Sequence, residues 1–265
     1  MYHLSFLEII NDRFKYFLKY LRWNIDPLIY LSKKKSSLII GGTFQVKTRL
    51  NVPDNKFKFL STIGSETSIY KFEVKSKSQF IIVSVGRLVK IKGFDLILQS
   101  FKKFSDSLRE NNNEPAVLMI VGDGPEKKKL QEMVTHFDFD RNEVIFTGWL
   151  QKYEINEIYN AASCYISASF EGGGAVVAEA MSYGLPIVCF DGYGASSIVD
   201  ESCSIKVRSN SRKEDIEEFV IALHRLYGDK YLAKLLGEGS RNKFIRDLSW
   251  ESKGKELYNL LSLLK

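Results

Sequence analysis

Short, almost wholly apolar runs separated by helical patterns characterise the chain from about residue 80 onward. The runs are FIIVSVG, VLMIVG, EVIFTG, CYISAS, PIVCF and SIKV, at residues 80–86, 117–122, 143–148, 164–169, 186–190 and 204–207. After the first run, apolar residues recur at helical spacing: Phe94, Ile97, Leu98, Phe101, Phe104 and Leu108. Strands that are continuously apolar are typical of a sheet covered on both faces. The pattern therefore predicts an α/β fold with a doubly wound parallel sheet.

Polar, glycine-containing segments follow each of the first five predicted strands. In chain order they are GRLVKIKG, GDGP, GWL, SFEGGG and DGYGASS. In doubly wound sheets, ligands bind beyond the carboxyl ends of the strands. We therefore expect these five loops to converge on one ligand crevice.

The two ends of the chain show a different pattern. Near the start, DRFKYFLKYLRW mixes aromatic and basic residues at helical spacing, SSLIIGG (36–42) predicts a strand, and TFQVKTRL predicts a short helix. Residues 70–79 read as a polar connector. The tail predicts three helices, at 213–227, 230–245 and 249–264, the last with Ser249 as its N-cap.

Composition and charge narrow the class of protein. The 265 residues suit one large domain, or one domain plus a fragment, and 45% hydrophobic with 26% charged residues is ordinary for a globular protein. The net charge of +6 favours anionic partners. Cys164, Cys189 and Cys203 form no CxxC pair, and two of them fall in strand-like runs, so we expect core thiols and a cytoplasmic protein. We find no transmembrane or secretory segment.

The segment GRLVKIKG supplies the first candidate site residues. Gly86 ends the first predicted strand, and Arg87 and Lys92 flank the turn that follows it. Arginine binds phosphate with two parallel hydrogen bonds, and lysine adds a compact second charge. Taken alone, two solvated surface cations would be the simpler interpretation. The glycine-rich helix start expected in the same crevice favours a diphosphate clamp.

Three glycines and two carboxylates form the second candidate site. Gly172, Gly173 and Gly174 run into the helical pattern AVVAEAM, and free N–H groups at a helix start attract anions. Glu171 and Glu179 would repel a bare phosphate, but carboxylates accept hydrogen bonds from sugar hydroxyls. A nucleotide joined to a sugar satisfies both sets of groups. The alternatives are a helix-dipole role for Glu171 and a solvent-exposed Glu179, although the apolar neighbours of Glu179 favour a partner or ligand.

A third candidate follows the strand ending at residue 148. Gly148, Trp149 and Leu150 could present backbone groups and an apolar wall to a planar base. Core packing of Trp149 is an equally good interpretation. The Asp123–Gly124 turn in GDGP has a simpler structural role, with Pro125 suited to the start of the next helix.

Four separated motifs resemble one family in the same order. These are GRLVKIKG, VGDGP, FTGWL, and the pair of glutamates with seven residues between them in EGGGAVVAEAM, followed by GLPIV. They resemble the retaining glycosyltransferases of the GT-B fold, specifically glycosyltransferase family 4, the group 1 transferases. The resemblance covers roughly residues 80 to 250.

The resemblance implies roles for the candidate residues. Arg87 and Lys92 would stabilise the leaving diphosphate of a UDP- or GDP-sugar donor, without a metal ion. Glu171 would contact the transferred sugar, as nucleophile or as orienting group, and Glu179 would hold the ribose hydroxyls. The backbone of Gly172 to Gly174 would support sugar and phosphate. Gly86, Gly148, Trp149 and Leu150 complete the set of predicted donor-binding residues.

The resemblance also implies a domain organisation with departures from the family pattern. Residues 76–248 would form the Rossmann-like donor-binding domain, 1–75 an incomplete remnant of the N-terminal GT-B domain, and 249–265 the crossover helix. The loop DGYGASSIVD lacks the usual proline and glutamate, and no counterpart of the family's catalytic histidine is evident.

We therefore predict a glycosyltransferase that transfers a hexose-type sugar, with retention, to a glycan or lipid-linked acceptor in bacterial surface polysaccharide synthesis. The alternative is a non-catalytic nucleotide-sugar-binding module that needs a separate N-terminal half. A dehydrogenase is disfavoured because no G-x-G-x-x-G follows the first strand, and a nucleic-acid partner because the basic residues are dispersed. The aromatic and basic N-terminal helix leaves open a peripheral contact with the inner membrane face.

Overall fold

The computed structural model describes residues 26–42, 47–48, 50–67, 79–140, 142–171 and 174–262. The chain divides into two compact units. One comprises Met1–Thr62 with Lys253–Lys265, and the other comprises Ile63–Ser252. The domain boundaries expected from the family resemblance stay a prediction.

The described part of the first unit contains a helix, a small parallel ladder and, from Lys253 onward, most of the last helix of the chain. Helix α1 (Pro27–Lys35) is capped by Asp26, whose carboxylate accepts a hydrogen bond from the N–H of Leu28 at 2.8 Å. Strand β1 (Ile39–Gly41) pairs in parallel with β2 (Phe57–Phe59). The strand expected within 36–42 is confirmed. Strand β2 was not expected, because three residues are too few to show a periodic pattern.

Several predicted elements of the N-terminal part lie outside the described residues. They are the aromatic and basic helix DRFKYFLKYLRW, the first half of TFQVKTRL, and nearly all of the connector at 70–79.

The second unit is built on a six-stranded parallel sheet. Its strands are β3 (Phe80–Val85), β4 (Ala116–Val121), β5 (Val144–Gly148), β6 (Cys164–Ser167), β7 (Ile187–Phe190) and β8 (Ser204–Val207). They lie in the order β5-β4-β3-β6-β7-β8, and every neighbouring pair is parallel. This is the strand order of the classical Rossmann fold. The predicted doubly wound sheet is confirmed.

Helices connect consecutive strands and extend the tail. They are α2 (Phe94–Glu110), α3 (Lys127–His136), α4 (Lys152–Ala161), α5 (Ala175–Ser182), α6 (Arg212–Gly228), α7 (Lys230–Lys243) and α8 (Trp250–Ser262). Helix α7 continues into a π-helical turn at Phe244–Leu248, so the predicted end at 245 falls inside that turn. The Ser249 hydroxyl accepts from the N–H of Ser252 at 3.1 Å, as its predicted N-cap role requires.

Two apolar cores cover the two faces of the sheet. Ile82 of β3 belongs to the core shared with α2 and α6, whereas its neighbour Val83 belongs to the core shared with α4 and α5. Successive strand residues point to opposite faces, so a strand covered on both sides must be apolar throughout. The three cysteines are buried, which confirms the expectation for Cys164 and Cys189 and extends it to Cys203.

Candidate functional site

A crevice lies at the point where the strand order reverses, between β3 and β6. Ligands of doubly wound sheets bind at this switch point. The crevice measures ≈ 20 Å³ and is lined by Ser84, Val85, Lys92, Phe94, Tyr165, Ser167, Ser169, Val176, Val177 and Ala195. Its walls therefore come from the carboxyl ends of β3 and β6, from the loops after β3, β6 and β7, and from the first turns of α2 and α5.

The loop after β3 is fixed against the loop after β6. Gly93 has a φ of +67°, and a Cβ at this position would lie 2.4 Å from the carbonyl oxygen of Ala168. Only glycine suits both the left-handed backbone and the close approach. The N–H of Phe170 also donates to the carbonyl of Ile91 at 3.1 Å. These contacts place the short helical turn carrying Lys92 beside the segment that leads to Glu171.

Two of the three predicted catalytic side chains meet at this position. The Lys92 ammonium lies 3.1 Å from the Glu171 carboxylate, with side chains 24% and 51% exposed. Such a partly exposed ion pair contributes only about 0–1 kcal/mol to stability, because solvent screens both charges. A ligand that offers Lys92 a phosphate, and Glu171 a hydroxyl, can therefore separate them at little cost.

The third predicted catalytic residue stands apart. Arg87 is exposed, and its guanidinium makes no hydrogen bond or ion pair with any residue in the described ranges, although its backbone carbonyl accepts from the N–H of Val89 at 2.8 Å. Arg87 lines neither this crevice nor the larger cavity around Glu179. The preceding Gly86 is tied into the sheet by its N–H, which donates to the carbonyl of Val121 at 2.9 Å. The structure thus leaves the guanidinium in solvent at the carboxyl end of β3.

The backbone at Glu171 is held from several sides. Its N–H donates to the Ser169 hydroxyl at 3.2 Å. Gly194, in the loop after β7, approaches so closely that a Cβ would lie 2.4 Å from the Glu171 carbonyl oxygen. The ring of Phe170 stacks on that of Phe190, with centroids 4.8 Å apart. The loop DGYGASS, which departs from the family pattern, therefore supports Glu171 through its backbone.

The predicted glycine cradle is described only in part. Gly174 is buried at the start of α5, where a Cβ would lie 2.4 Å from the Cδ1 atom of Ile198. Gly172 and Gly173 lie outside the described residues. Their predicted backbone contacts with sugar and phosphate stay a prediction.

Glu179 lines a second, larger cavity of ≈ 450 Å³. This size lies in the range of small-molecule binding pockets. The wall is formed by polar and aromatic residues: Ser65, Glu66, Thr67, Gln151, Lys152, Tyr153, Asn156, Glu179, Ser182 and Tyr183. Burial raises the pKa of the Glu179 carboxyl above its ordinary value. Glu171 is thus linked to the switch-point crevice through Lys92, whereas Glu179 belongs to a separate cavity.

The segment after β5 places its three predicted residues in different surroundings. Gly148 adopts a φ of +72°, and Leu150 packs against the core beneath α4 and α5. Trp149 is 70% exposed, so its interpretation as a core residue is wrong. None of the three lines the Glu179 cavity, but Gln151, Lys152 and Tyr153, which follow directly, do.

Residues 66–243 match the family described as Glycosyl transferases group 1. This match covers most of the chain and includes every strand and loop of the site. The chain belongs to the group 1 glycosyltransferase family. The motif-based recognition of this family is confirmed.

Individual relatives agree with the family match. The uncharacterised glycosyltransferase MJ1069 of Methanocaldococcus jannaschii is 26% identical over 207 residues, which cover 77% of this chain and 50% of that protein. The amylovoran biosynthesis glycosyltransferase AmsD of Erwinia amylovora is 28% identical over 179 residues, covering 66% and 46%. The group 1 chain therefore spans about half the length of these curated relatives.

The fold is shared with a solved GT-B enzyme. The pneumococcal O-GlcNAc transferase GtfA, determined with UDP and GlcNAc, superimposes with a TM-score of 0.68 at 22% identity. The superposition covers 86% of this chain and 45% of that one. At this identity the likeness establishes the fold of the group 1 domain.

Sequence reasoning missed three residues around Glu179. Lys152 lies 2.6 Å from Glu66 in an ion pair, and the hydroxyl of the buried Tyr159 lies 3.4 Å from a Glu179 oxygen. Lys152 and Tyr159 lie seven residues apart on α4, which is two helical turns. The seven-residue spacing of Lys152 and Tyr159 in KYEINEIY could have placed both on one face of a helix. No such signal exists for Glu66, which is 86 residues away from Lys152 in the sequence.

Within the described ranges, no three or more His, Cys, Asp or Glu side chains gather where they could hold a metal ion. Likewise, the described helices include none that is long and apolar enough to cross a membrane. The predicted independence from metal, the cytoplasmic location and the membrane contact all stay predictions.

Proposed function

We propose that this group 1 glycosyltransferase binds a UDP- or GDP-linked hexose and transfers the sugar, with retention as in glycosyltransferase family 4, to a glycan or lipid-linked acceptor. The observation that carries the proposal is the Lys92–Glu171 ion pair at the switch point of the sheet. It brings a phosphate-binding cation and a hydroxyl-binding carboxylate together, 79 residues apart in sequence.

The ion pair gives a physical account of donor binding. In the free protein each charge of the pair neutralises the other at 3.1 Å. An incoming diphosphate draws Lys92 away, and Arg87, exposed and unpaired among the described residues, supplies a second cation. Glu171 is released to accept hydrogen bonds from the sugar. Charge that develops on the leaving diphosphate is then stabilised by preorganised cations in place of a metal ion.

The remaining roles are proposed from the resemblance to the family. Glu179 accepts hydrogen bonds from the ribose hydroxyls, and the backbone of Gly172 to Gly174 supports sugar and phosphate. Trp149, exposed at the end of β5, provides an apolar face for the base, with Gly86, Gly148 and Leu150 shaping the turns. The name of AmsD, an amylovoran biosynthesis enzyme, supports a polysaccharide acceptor.

Calorimetry with UDP, GDP and ADP and their sugar conjugates tests donor binding. We expect a uridine or guanosine diphosphate to bind, and Lys92→Met to weaken its affinity by about 10–100-fold through loss of a charge-assisted contact. Lys234→Met, which removes a comparable partly exposed lysine from α7, is the matched control and should leave the affinity unchanged. Equal losses in the two variants would remove the basis of the proposal.

Turnover separates the enzyme from the second candidate function. The second candidate function is a binding module that acts with a separate N-terminal half; the match itself reaches about half the length of each relative. Transfer or hydrolysis of the donor sugar by this chain alone favours the enzyme. Activity only after addition of an N-terminal half favours the module.

A further inference from the structure

The cavity around Glu179 contains an ion pair that the proposed donor chemistry does not use. The Lys152 ammonium lies 2.6 Å from the Glu66 carboxylate, and both residues line the same cavity wall as Glu179. The hydrogen bond to Glu66 raises the pKa of Lys152, so the cation is kept charged. The same contact lowers the pKa of Glu66. A fixed positive charge therefore faces the cavity beside Glu179.

The charge matters because Glu179 is in an unfavourable place for an anion. Burial raises the pKa of Glu179, and the electrostatic attraction of Lys152 opposes that rise. Lys152 has no ion pair with Glu179 within 4.0 Å, because Glu66 holds it. Glu179 thus feels a nearby cation while its oxygens stay available to a ligand.

Tyr159 supplies the second support. Its ring is 1% exposed, and its hydroxyl lies 3.2 Å from the carbonyl of Val176 and 3.4 Å from a carboxylate oxygen of Glu179. Burial raises the pKa of Tyr159 well above its ordinary value, so the hydroxyl keeps its proton. One proton is shared between two acceptors, and a charged carboxylate is the stronger of them. The hydroxyl therefore favours the ionised form of Glu179 in one orientation.

We infer that Lys152, held by Glu66, and Tyr159 are positioning residues that keep the Glu179 carboxylate ionised and aimed at the cavity. The inference rests on the proposed function in one respect, namely that Glu179 binds the hydroxyls of the donor nucleotide. A neutral carboxyl group is a poorer acceptor, so nucleotide affinity follows the ionisation of Glu179. Glu66 and Glu179 compete for the positive charge of Lys152. This competition sets the pH at which the nucleotide affinity is lost.

Other titratable groups around Glu179 leave this assignment unchanged. The groups on the neighbouring elements are Lys152, Tyr153 and Tyr159 of α4, Glu66 before β3, Tyr165 of β6, Tyr183 after α5, and Arg241 of α7. The hydroxyl of Tyr165 donates to the carbonyl of Val85 at 3.1 Å, and Arg241 donates to the carbonyl of Ser182. Lys152 is the cation whose charge acts on Glu179.

The first experiment follows the Glu179 carboxyl itself in the ligand-free protein. Glutamate labelled with ¹³C at the carboxyl carbon is titrated by NMR, and the Glu179 signal is assigned by its loss in Glu179→Gln. We expect Lys152→Met and Tyr159→Phe to move the midpoint to higher pH, and Lys152→Arg to restore it. Glu66→Gln frees Lys152 to approach Glu179, so its midpoint moves to lower pH.

The Glu179 midpoint is expected to shift in opposite directions in Lys152→Met and Glu66→Gln, the two variants of one ion pair. Opposite shifts distinguish electrostatic positioning from a structural role. A merely structural pair would give the same direction for both variants, or no shift. The matched control is the ion pair Lys234–Glu238 on α7, whose atoms are 3.9 Å apart. Lys234→Met and Glu238→Gln should leave the midpoint where it is.

The second experiment measures UDP and GDP affinity across the same pH range. We expect the loss of affinity on acidification to begin at higher pH in Lys152→Met and at lower pH in Glu66→Gln. Midpoints that move as expected in a protein that binds neither nucleotide would disprove the proposed function and leave the electrostatic arrangement standing. Nucleotide binding with an unmoved Glu179 titration and an unchanged pH profile would overturn the inference.

Discussion

Two partly or fully buried glutamates lie at opposite edges of the same sheet and differ in how they are satisfied. Glu143, directly before β5 at the amino edge, is 5% exposed. Its carboxylate accepts from the Arg109 guanidinium at 3.1 and 3.2 Å, from the N–H of Asp140 at 2.7 Å, and from the Ser105 hydroxyl. Glu179, near the carboxyl edge, has one hydroxyl contact at 3.4 Å and a cation held by another residue.

The difference separates a structural carboxylate from a candidate binding group. A buried charge stabilises a fold only when its hydrogen-bonding capacity is satisfied within the protein, as it is at Glu143. Glu179 keeps acceptor capacity beside a cavity of ≈ 450 Å³, which disfavours its charged form in the free protein. Perturbed groups of this kind cluster at functional sites.

The largest expected effect comes from removing the satisfied carboxylate. Glu143→Ala leaves the Ser105 hydroxyl and the Asp140 N–H without their partner, and we expect the free energy of unfolding to fall by about 2–4 kcal/mol. Urea denaturation measures it. The affinity of the folded fraction for UDP or GDP should not change. A loss of affinity as large as that of Lys92→Met would contradict the assignment of Glu143 as a structural carboxylate.

A smaller effect on stability, but a direct effect on the site, is expected at Gly194. Its φ is +37°, and Gly194→Ala forces a Cβ against the Glu171 carbonyl oxygen. We expect a loss of about 1–3 kcal/mol and weaker nucleotide binding, since Glu171 must move. Gly228→Ala, at a position with open space around the added Cβ, serves as the control. Thermal melts and calorimetry on the same samples test both parts.

The smallest expected effect is a gain in stability, whereas the two preceding variants are expected to lose stability. Because burial raises the pKa of Glu179, the folded state binds more protons there than the unfolded state. The contribution of Glu179 to stability is therefore lost as pH rises through its raised pKa. Glu179→Gln removes this dependence, so its melting temperature should exceed that of the parent at pH 7 and approach it toward pH 4. A variant that melts below the parent at pH 7 would show that Glu179 is structural.

The sequence predicted the sheet well because its strands obey a local rule. Five of the six strands are predominantly apolar runs, and α2 buries each of the apolar positions that its spacing picked out. Strand β2 was missed because FKF is short and exposes two of its three residues. The π-helical turn after α7 leaves no distinct pattern either, since it continues the apolar spacing of the helix.

The site was predictable where sheet topology determines proximity. Lys92 and Glu171 could be paired from sequence, because both follow strands at the switch point of a parallel sheet. The support around Glu179 could not, because Glu66 precedes the first strand of the sheet and no local spacing connects it with Lys152. The exposed position of Trp149 was equally inaccessible, since a tryptophan after a buried strand fits a core as well as a surface.

The aromatic row that begins beside Glu171 has a consequence for mutational surveys. Phe170 stacks on Phe190, and Phe190 meets Phe219 of α6 edge to face with centroids 5.1 Å apart. A substitution of Phe219 in the middle of α6 can thus shift the loop that carries Glu171. Saturation libraries scored for nucleotide binding should therefore contain impaired variants at residue 219, although Phe219 lines neither of the two cavities.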